Sequence, residues 1–318
     1  MLPAEEFIMK EYINSIKSYH FGAEESCPHL LLAAGVHGDE YEPVLAALQL
    51  ISEMPQLLRR GSVTIVPVVN VTAYEAGIRY GTDGLDLARI CPGISTGSPS
   101  ERNAFQISEL IKKANYLIDM HTGGMAHDIY PMAGFMLHRD SDILNRQRQM
   151  ALAYNFPVIW GTDPFPNGRT LSVARDLGIP SIYLEYGGGS GIRNQVVKSY
   201  VNGFINVLKL LNMADGPCEL QSVEERYWVE DSRPDSGYFQ GKMPSPSAGI
   251  FVSAVSPGMH IKKGEQFGRI IDPITRTSQD IKADMDGLVL SVRVNVRVAK
   301  GDALGSILPI LSPGKVII

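Results

Sequence analysis

The sequence of 318 residues is poor in cysteine and contains no long apolar run. Its three cysteines, Cys27, Cys91 and Cys218, lie far apart without a CxxC pair, so we expect neither a disulfide framework nor a thiolate metal site. No apolar run approaches the roughly 20 residues of a membrane-spanning helix. The segment from Met1 to His20 resembles neither a signal peptide nor a transit peptide. These absences predict a cytoplasmic protein without a membrane partner.

The chain also lacks the charge pattern of a nucleic-acid-binding protein. Its net charge is −5, and no cluster of lysine and arginine is interleaved with aromatic residues. Nucleic acid is therefore not an expected partner. With 44% hydrophobic residues the chain can bury a substantial core, and its length favours two domains over one.

Between Leu30 and Leu211, short β-rich runs alternate with helical stretches, a pattern typical of an α/β layer architecture. Each predicted strand ends in a loop, and several of these loops carry polar residues. The predicted strands are 30–34, 62–69, 116–120, 158–160 and 181–184, and the predicted helices are 42–54, 101–113, 145–154, 171–177 and 195–211.

Beyond the breaker-rich segment 212–217 the pattern changes to short strands separated by turns. We therefore predict a catalytic domain over residues 1–220 and an all-β domain over 221–318. Segments 255–265 and 296–304 look like two copies of one unit and resemble half of a biotinyl/lipoyl-like barrel-sandwich. Hairpin 280–284 lacks the pattern of a carrier lysine, which favours a shaping or oligomerising module and leaves a homo-oligomer possible.

The segment from Gly35 to Glu40 joins the apolar run 30–34 to a helical stretch, and therefore lies at the carboxyl end of a predicted strand, where open α/β sheets bind ligands. His37 and Glu40 have i, i+3 spacing, which places both side chains on one face of a helical turn. We interpret them as two ligands of a catalytic zinc ion. The alternative is an ordinary helix N-terminus, at which a carboxylate stabilises free N–H groups.

His121 repeats this arrangement, because it ends the apolar strand 116–120 beside two glycines. Together with His37 and Glu40 it would complete the set of two imidazoles and one carboxylate that catalytic zinc uses, with a fourth position open. Asp119, two residues earlier, is placed to support a ligand by hydrogen bonding.

Two further segments offer catalytic and binding groups. Glu185 ends the predicted strand 181–184 before a glycine run and is our candidate base, since hydrolysis needs a group that moves the proton. The glycine run lacks GxGxxG and a P-loop lysine, so we reject nucleotide binding. Segment 70–93 is predicted as a long loop with Arg79 and Arg89, one suited to stabilise an oxyanion and one to bind a carboxylate. Surface ion pairing is the alternative for both arginines.

Four ordered motifs, GVHGDE, the loop ending in DLARICPG, LIDMHTGG and YLEYGGG, resemble the succinylglutamate desuccinylase and aspartoacylase family of zinc carboxypeptidase-like hydrolases. The resemblance spans about residues 28–190 and extends to the predicted β domain. It implies a mixed twisted sheet flanked by helices, one zinc ion per chain, and hydrolysis of the amide bond of a small N-acyl amino acid by metal-activated water.

Residue by residue, the resemblance implies that His37, Glu40 and His121 bind zinc and that Glu185 is the general base. Arg79 matches the arginine that polarises the scissile carbonyl, and Arg89 matches the arginine that holds the substrate carboxylate. In the family this second arginine follows an asparagine, but here Ala88 takes that place. The change argues against acetylaspartate and succinylglutamate as substrates. Bacterial members that deacetylate diaminobutyrate-type compounds are a closer overall likeness.

Two other functions remain open from the sequence. A metallocarboxypeptidase acting on short peptides would use the same ligands, but would need an open groove that the β domain is expected to roof. A non-catalytic protein that keeps the metal for structure would have no use for Glu185 and would normally close the fourth position.

Overall fold

The computed structural model describes residues 9–11, 16–23, 26–189, 191–220, 226–238 and 242–309. The helices are α1 (Tyr41–Leu57), α2 (Val71–Ala76), α3 (Pro99–Ile111), α4 (Ser141–Tyr154), α5 (Thr170–Asp176) and α6 (Asn194–Leu210), with a 3₁₀ helix at Leu87–Arg89. The strands are β1 (Met9–Glu11), β2 (Lys17–Phe21), β3 (His29–Ala33), β4 (Ser62–Val66), β5 (Tyr116–His121), β6 (His127–Met136), β7 (Val158–Thr162), β8 (Ser181–Gly187), β9 (Tyr227–Glu230), β10 (Gly249–Ser253), β11 (His260–Ile261), β12 (Gln266–Asp272), β13 (Thr277–Lys282), β14 (Gly287–Arg293), β15 (Arg297–Val298) and β16 (Gly305–Leu308).

The main sheet has mixed strand directions. Its strand order is β1-β2-β4-β3-β5-β8-β6-β14-β11, with β7 pairing with β6 and β9, and β16 with β14. Strand β3 runs parallel to β4 and β5, and β5 runs parallel to β8, whereas β6 is antiparallel to β8. The predicted mixed α/β sheet is confirmed.

Helices cover both faces of this sheet because the buried strands carry apolar residues on both sides. In β3, Leu30 and Leu32 pack in one cluster with residues of α1, α4 and α6. The alternate residues Leu31 and Ala33 pack in a second cluster with residues of α3 and α5. This alternation follows from the two-residue period of a strand. Strands β3 and β5 are thus buried on both faces in the interior of the sheet. The loops that follow these two parallel strands lie at the same edge.

Residues after 226 contribute to two sheets. Strand β9 extends the main sheet by pairing with β7, and β14 pairs with β6. Strands β10, β12, β13 and β15 form a second, four-stranded sheet. Phe251, Phe267 and Val289 belong to a hydrophobic cluster built from residues of this part of the chain. Between positions 287 and 298 the chain forms two strands, β14 and β15.

Two elements differ from the sequence prediction. The segment predicted as a long loop, 70–93, contains α2 and the 3₁₀ helix. Strand β6 was not predicted, since Pro131 lies inside it and proline usually breaks a central strand. The β6–β8 register shifts between Ile129 and Met132, so Pro131 lies at an irregularity where one hydrogen-bonding position is skipped.

Within the part of the chain that the structure describes, no helix combines the length and the hydropathy that a membrane span requires.

Candidate active site

The ends of three neighbouring strands define the site. In the parallel ladders, Ala33 of β3 pairs with Asp119 of β5, and His121 of β5 pairs with Glu185 of β8. The loop between β3 and α1 carries His37 and Glu40 over the same edge. Five of the residues singled out in the sequence are therefore brought together by the order of strands in the sheet.

His37, Glu40 and His121, which we call the histidine–glutamate cluster, are buried, with 4%, 2% and 8% of their surfaces exposed. Glu40 Oε1 lies 2.7 Å from His37 Nδ1, and Glu40 Oε2 lies 3.0 Å from His121 Nδ1. One candidate ligand atom from each residue lies within 4.8 Å of the others. Burial would raise the pKa of Glu40, but the two histidines outweigh it and hold that pKa well below its usual range.

The second ring nitrogen of each imidazole, Nε2, lies beside a further carboxylate. His37 Nε2 lies 3.2 Å from Asp86 Oδ1, and His121 Nε2 lies 3.2 Å from Asp119 Oδ2. Metal-binding histidines commonly donate their other N–H to a carboxylate in this way, which fixes the ring and its tautomer. The donor types, their convergence and these outer carboxylates fit a divalent metal such as zinc. Asp119 therefore lies where it was predicted, whereas Asp86 was not anticipated.

Glu185 lies beside the cluster but is not hydrogen-bonded into it. Its Oε2 atom is buried and has no hydrogen-bond partner among the described residues. Burial raises the pKa of Glu185 to about 8, and the nearby charge of His121 only partly offsets this effect. A carboxyl group whose pKa lies near neutrality can both accept and donate a proton.

Three arginines, Arg79, Arg89 and Arg169, form what we call the arginine side. Arg79 donates to Asp86 Oδ2 from Nε at 3.2 Å and from Nη2 at 3.0 Å, so one carboxylate joins it to His37. Arg89 Nη1 donates to Ala88 O at 2.8 Å. Burial lowers the pKa of Arg89, and the charges of Arg169 and Arg79 lower it further, while Asp86 raises it. Positive charge is thus concentrated on this side.

A cavity of about 150 Å³ lies between the cluster and the arginine side. Its walls include Gly237, Tyr238 and Ser291, so residues from beyond position 220 help to enclose it. All six predicted catalytic, binding and metal residues belong to the cluster, line the cavity, or do both. Lining residues that the sequence did not reveal are His127, Arg169, Tyr183, Tyr238 and Ser291. They lie on separate segments, and no local motif marks them.

Comparison with known proteins supports a single family. Residues 26–211 match the family model described as the succinylglutamate desuccinylase/aspartoacylase catalytic domain. The N-alpha-acetyl-L-2,4-diaminobutyric acid deacetylase of Halomonas elongata is 29% identical over 286 residues, covering 88% of this chain and 82% of that protein.

Solved structures share the fold. A succinylglutamate desuccinylase/aspartoacylase from Rhodobacter sphaeroides matches with 26% identity and a TM-score of 0.81, covering 92% of this chain and 88% of that one. The product-bound structure of an ectoine utilization protein from Ruegeria pomeroyi matches over the same shares with 24% identity and a TM-score of 0.82, and shows the fold alone. Since the family model covers more than half of the chain, this protein belongs to the succinylglutamate desuccinylase/aspartoacylase family.

Proposed function

We propose that this protein is a zinc-dependent hydrolase that cleaves the amide bond of a small N-acyl amino acid. The observation that carries the proposal is the histidine–glutamate cluster beside Glu185 at the wall of one cavity. His37, Glu40 and His121 would hold the metal. A bound zinc ion supplies a Lewis acid, which acidifies water and polarises a carbonyl group.

Glu185 moves the proton in this scheme. Its carboxylate takes a proton from the attacking water, whose oxygen forms a bond to the acyl carbon. The protonated Glu185 then gives that proton to the leaving nitrogen as the carbon–nitrogen bond breaks, which yields a carboxylic acid and a free amine. Burial and the absence of a partner on Oε2 support this role, because both favour a carboxyl that changes its protonation state near neutral pH.

The arginine side binds and polarises the substrate. Arg79 lies close to the cluster, with Nη1 3.5 Å from His37 Nδ1, and stabilises the negative charge that develops on the acyl oxygen. Arg89 binds the carboxylate of the amino acid, with Arg169 as a neighbouring cation. The alternative for Arg79 and Arg89, surface ion pairing, is disfavoured because both arginines line the cavity.

The acyl group we propose is acetyl or succinyl. The Halomonas elongata relative is named for deacetylation of an acetylated diaminobutyric acid, which favours acetyl. Ala88 stands beside Arg89 in the cavity wall, where it offers no side-chain amide to a substrate carboxylate. This supports substrates other than acetylaspartate and succinylglutamate.

We further propose that residues 1–220 form the catalytic domain and residues 221–318 an all-β barrel-sandwich domain whose role is to shape the site. The hydrophobic cluster around Phe251 and Phe267 supports a separate core. Tyr238 and Ser291 in the cavity wall support the shaping role. The same wall argues against a metallocarboxypeptidase, which needs an open groove for a peptide.

The test is metal analysis of the purified protein combined with a screen of N-acyl amino acids and short peptides, with free amine as the readout. We expect hydrolysis of acyl amino acids, loss of activity with a chelator and recovery with Zn²⁺. Cleavage of peptides alone would indicate a metallocarboxypeptidase. Metal-loaded protein without any turnover would indicate a binding protein.

A further inference from the structure

One face of the main sheet forms the floor of the cavity. Across β8 and β6, Glu185 pairs with Met132 and Tyr183 pairs with Gly134. Side chains two residues apart project from the same face of a strand, so Tyr183 lies on the face that carries Glu185. Met136, two residues beyond Gly134, lies on this face as well, and all three side chains line the cavity. At ~3.3 Å per residue, Tyr183 and Met136 lie about 7 and about 13 Å from Glu185 along the strands.

The end of the cavity beyond Glu185 is apolar. Helix α5 packs against β6 and β8, and its Leu171 lines the cavity together with Met136 and Tyr183. Leu171 and Met136 are buried. Burial raises the pKa of Tyr183 and the charge of Glu185 raises it further, so the phenol is neutral near pH 7. We call the space against Tyr183, Met136 and Leu171 the apolar end.

The cavity wall offers no partner to an ammonium group. Of the described residues that line it, two are acidic, Asp119 and Glu185. Asp119 Oδ2 accepts from Thr170 Oγ1 and lies 3.2 Å from His121 Nε2, and Asp119 Oδ1 is buried. Glu185 is needed to carry the proton. An ammonium group would therefore face the arginine side without a counter-charge, and an unpaired buried charge is costly.

Arg89 brings the amino-acid half of the substrate to the apolar end. The N–H of Cys91 donates to Gly168 O at 2.9 Å, so the segment that carries Arg89 lies against the residues that lead into α5. In the proposed reaction the leaving nitrogen lies at Glu185 and the carboxylate at Arg89. The Cα atom is bonded to both groups. Its side chain therefore starts between these two residues, within reach of the apolar end.

Gly134 limits the space at the apolar end. A Cβ atom at position 134 would overlap with Cζ and Cε1 of the Tyr183 ring. The ring therefore lies directly on the backbone of Gly134. A side chain at this position would push the ring away from the sheet and into the cavity, which would shorten the apolar end.

We propose that the apolar end holds the side chain of the substrate's amino acid, that this side chain is uncharged and apolar, and that Gly134 and Tyr183 set its greatest length. This inference rests on the proposed deacylase function and names the substrate class of the same site. The class differs from the acetylated diaminobutyric acid for which the Halomonas elongata relative is named.

A matched set of substrates tests the charge of the side chain. In Nα-acetylnorvaline, Nα-acetyl-2,4-diaminobutyrate and Nα-acetylglutamate, the same two methylenes carry a methyl, an ammonium or a carboxylate group. For the wild type we expect kcat/KM to be about tenfold or more higher for acetylnorvaline than for either charged substrate, because neither charge belongs in an apolar pocket. From acetylalanine to acetylnorvaline, kcat/KM should rise about fourfold for each added methylene.

Two substitutions test the length limit in opposite directions. Gly134→Ala should lower kcat/KM for acetylnorvaline about tenfold, as for a pocket that loses room for a methylene, with acetylalanine little affected. Tyr183→Ala should shift the preference to longer side chains, such as that of acetylnorleucine. Gly161→Ala is the matched control, because Gly161 pairs with Phe135 and its Cβ would meet side chains on the other face of the sheet. Thermal melting checks the folding of each variant, and Tyr183→Ala decides the question if Gly134→Ala does not fold.

Four results would overturn the proposal. The wild type could favour acetyl-diaminobutyrate, or it could favour acetylglutamate, as expected if Arg169 binds a second carboxylate. Gly134→Ala and Tyr183→Ala could lower kcat/KM equally for all substrates, as expected of a structural role. They could also change the preference for the length of the acyl chain instead of the side chain. Failure of the proposed function is distinct, since the wild type would then hydrolyse no N-acyl amino acid at all.

Discussion

The two sides of the cavity are held in place by different means. In the histidine–glutamate cluster, His121 ends a central strand, and His37 and Glu40 lie in the loop that leaves the adjacent strand. Every ring nitrogen of the cluster faces a carboxylate oxygen at 2.7 to 3.2 Å. Backbone pairing of the strands thus positions the cluster, and contacts to carboxylate oxygens hold its two imidazole rings in place.

The arginine side depends on side chains from short or irregular segments. Arg79 follows α2, Arg89 ends the 3₁₀ helix, and Arg169 precedes α5. Asp86 holds Arg79 and also contacts His37, so it connects the two sides. From this difference we propose that the sheet positions the catalytic residues, whereas the loops determine which charged groups of a substrate are bound. Substitutions on the two sides of the cavity test this division.

Replacing Glu185 with glutamine should have the largest effect, because it removes the proton acceptor without changing the shape of the side chain. We expect kcat to fall by roughly 10²- to 10⁴-fold while the bound metal is retained. Steady-state kinetics and metal analysis measure the two quantities. Glu53→Gln on the outer part of α1 is the control. Full turnover by the Glu185 variant would reject its role as the base.

Replacing Arg89 with alanine should weaken binding rather than the chemical step. Loss of a hydrogen bond to a charged group costs ~1.5–3 kcal/mol, or about 10- to 150-fold in kcat/KM. Most of the change should appear in KM. Arg89→Lys should recover only part of it, since lysine lacks the planar fork that binds a carboxylate through two donors. An equal loss on an acyl amine without a carboxylate would contradict this role.

Asp86→Asn should affect both sides at once, because one residue supports His37 and Arg79. We expect about 10- to 100-fold loss of metal affinity or activity, as for other groups that orient metal-binding histidines. Metal titration and kinetics measure it. Asp83→Asn is the matched control: Asp83 accepts from Ser100 N and Ser100 Oγ at 2.8 Å, away from the cluster. Unchanged metal affinity and kinetics in Asp86→Asn would show that Asp86 does not connect the two sides of the cavity.

Ala88→Asn should have the smallest effect and should act on specificity alone. The added amide would lie beside Arg89, where it can donate to a substrate carboxylate. One hydrogen bond from a neutral amide to a carboxylate is worth ~1.5 kcal/mol, at the lower end for charged partners, which is about tenfold in kcat/KM. We expect acetylaspartate turnover to improve relative to the wild type. A comparison of kcat/KM for acetylaspartate and acetyl-diaminobutyrate tests this, and an unchanged ratio would contradict it.

The same division explains what the sequence could predict. Strands β3, β5 and β8 are short apolar runs that end in polar residues, and the spacing of His37 and Glu40 is a local pattern. The convergence of three strand ends then follows from the rules for parallel sheets. Family membership, predicted from four ordered motifs, is confirmed by the match over residues 26–211.

The rest depends on contacts that no local pattern encodes. Strand β6 was missed because Pro131 and Gly134 weaken its strand pattern, and it is stabilised by pairing with β7, β8 and β14. Arg169 and Tyr238 line the cavity from segments that are distant in sequence, and Asp86 contacts His37 and Arg79 beside it. Their roles arise only when the chain is folded.

The pairing of β6 with β14 places Ile129 opposite Ser291, and both residues line the cavity. Side chains alternate between the two faces of a strand, so a slip of one residue in this pairing would turn Ser291 away and present a large aliphatic neighbour instead. A single insertion or deletion before β14 could therefore alter the cavity wall in one step. The length of the loop before β14 thus determines which side chain this strand presents to the cavity.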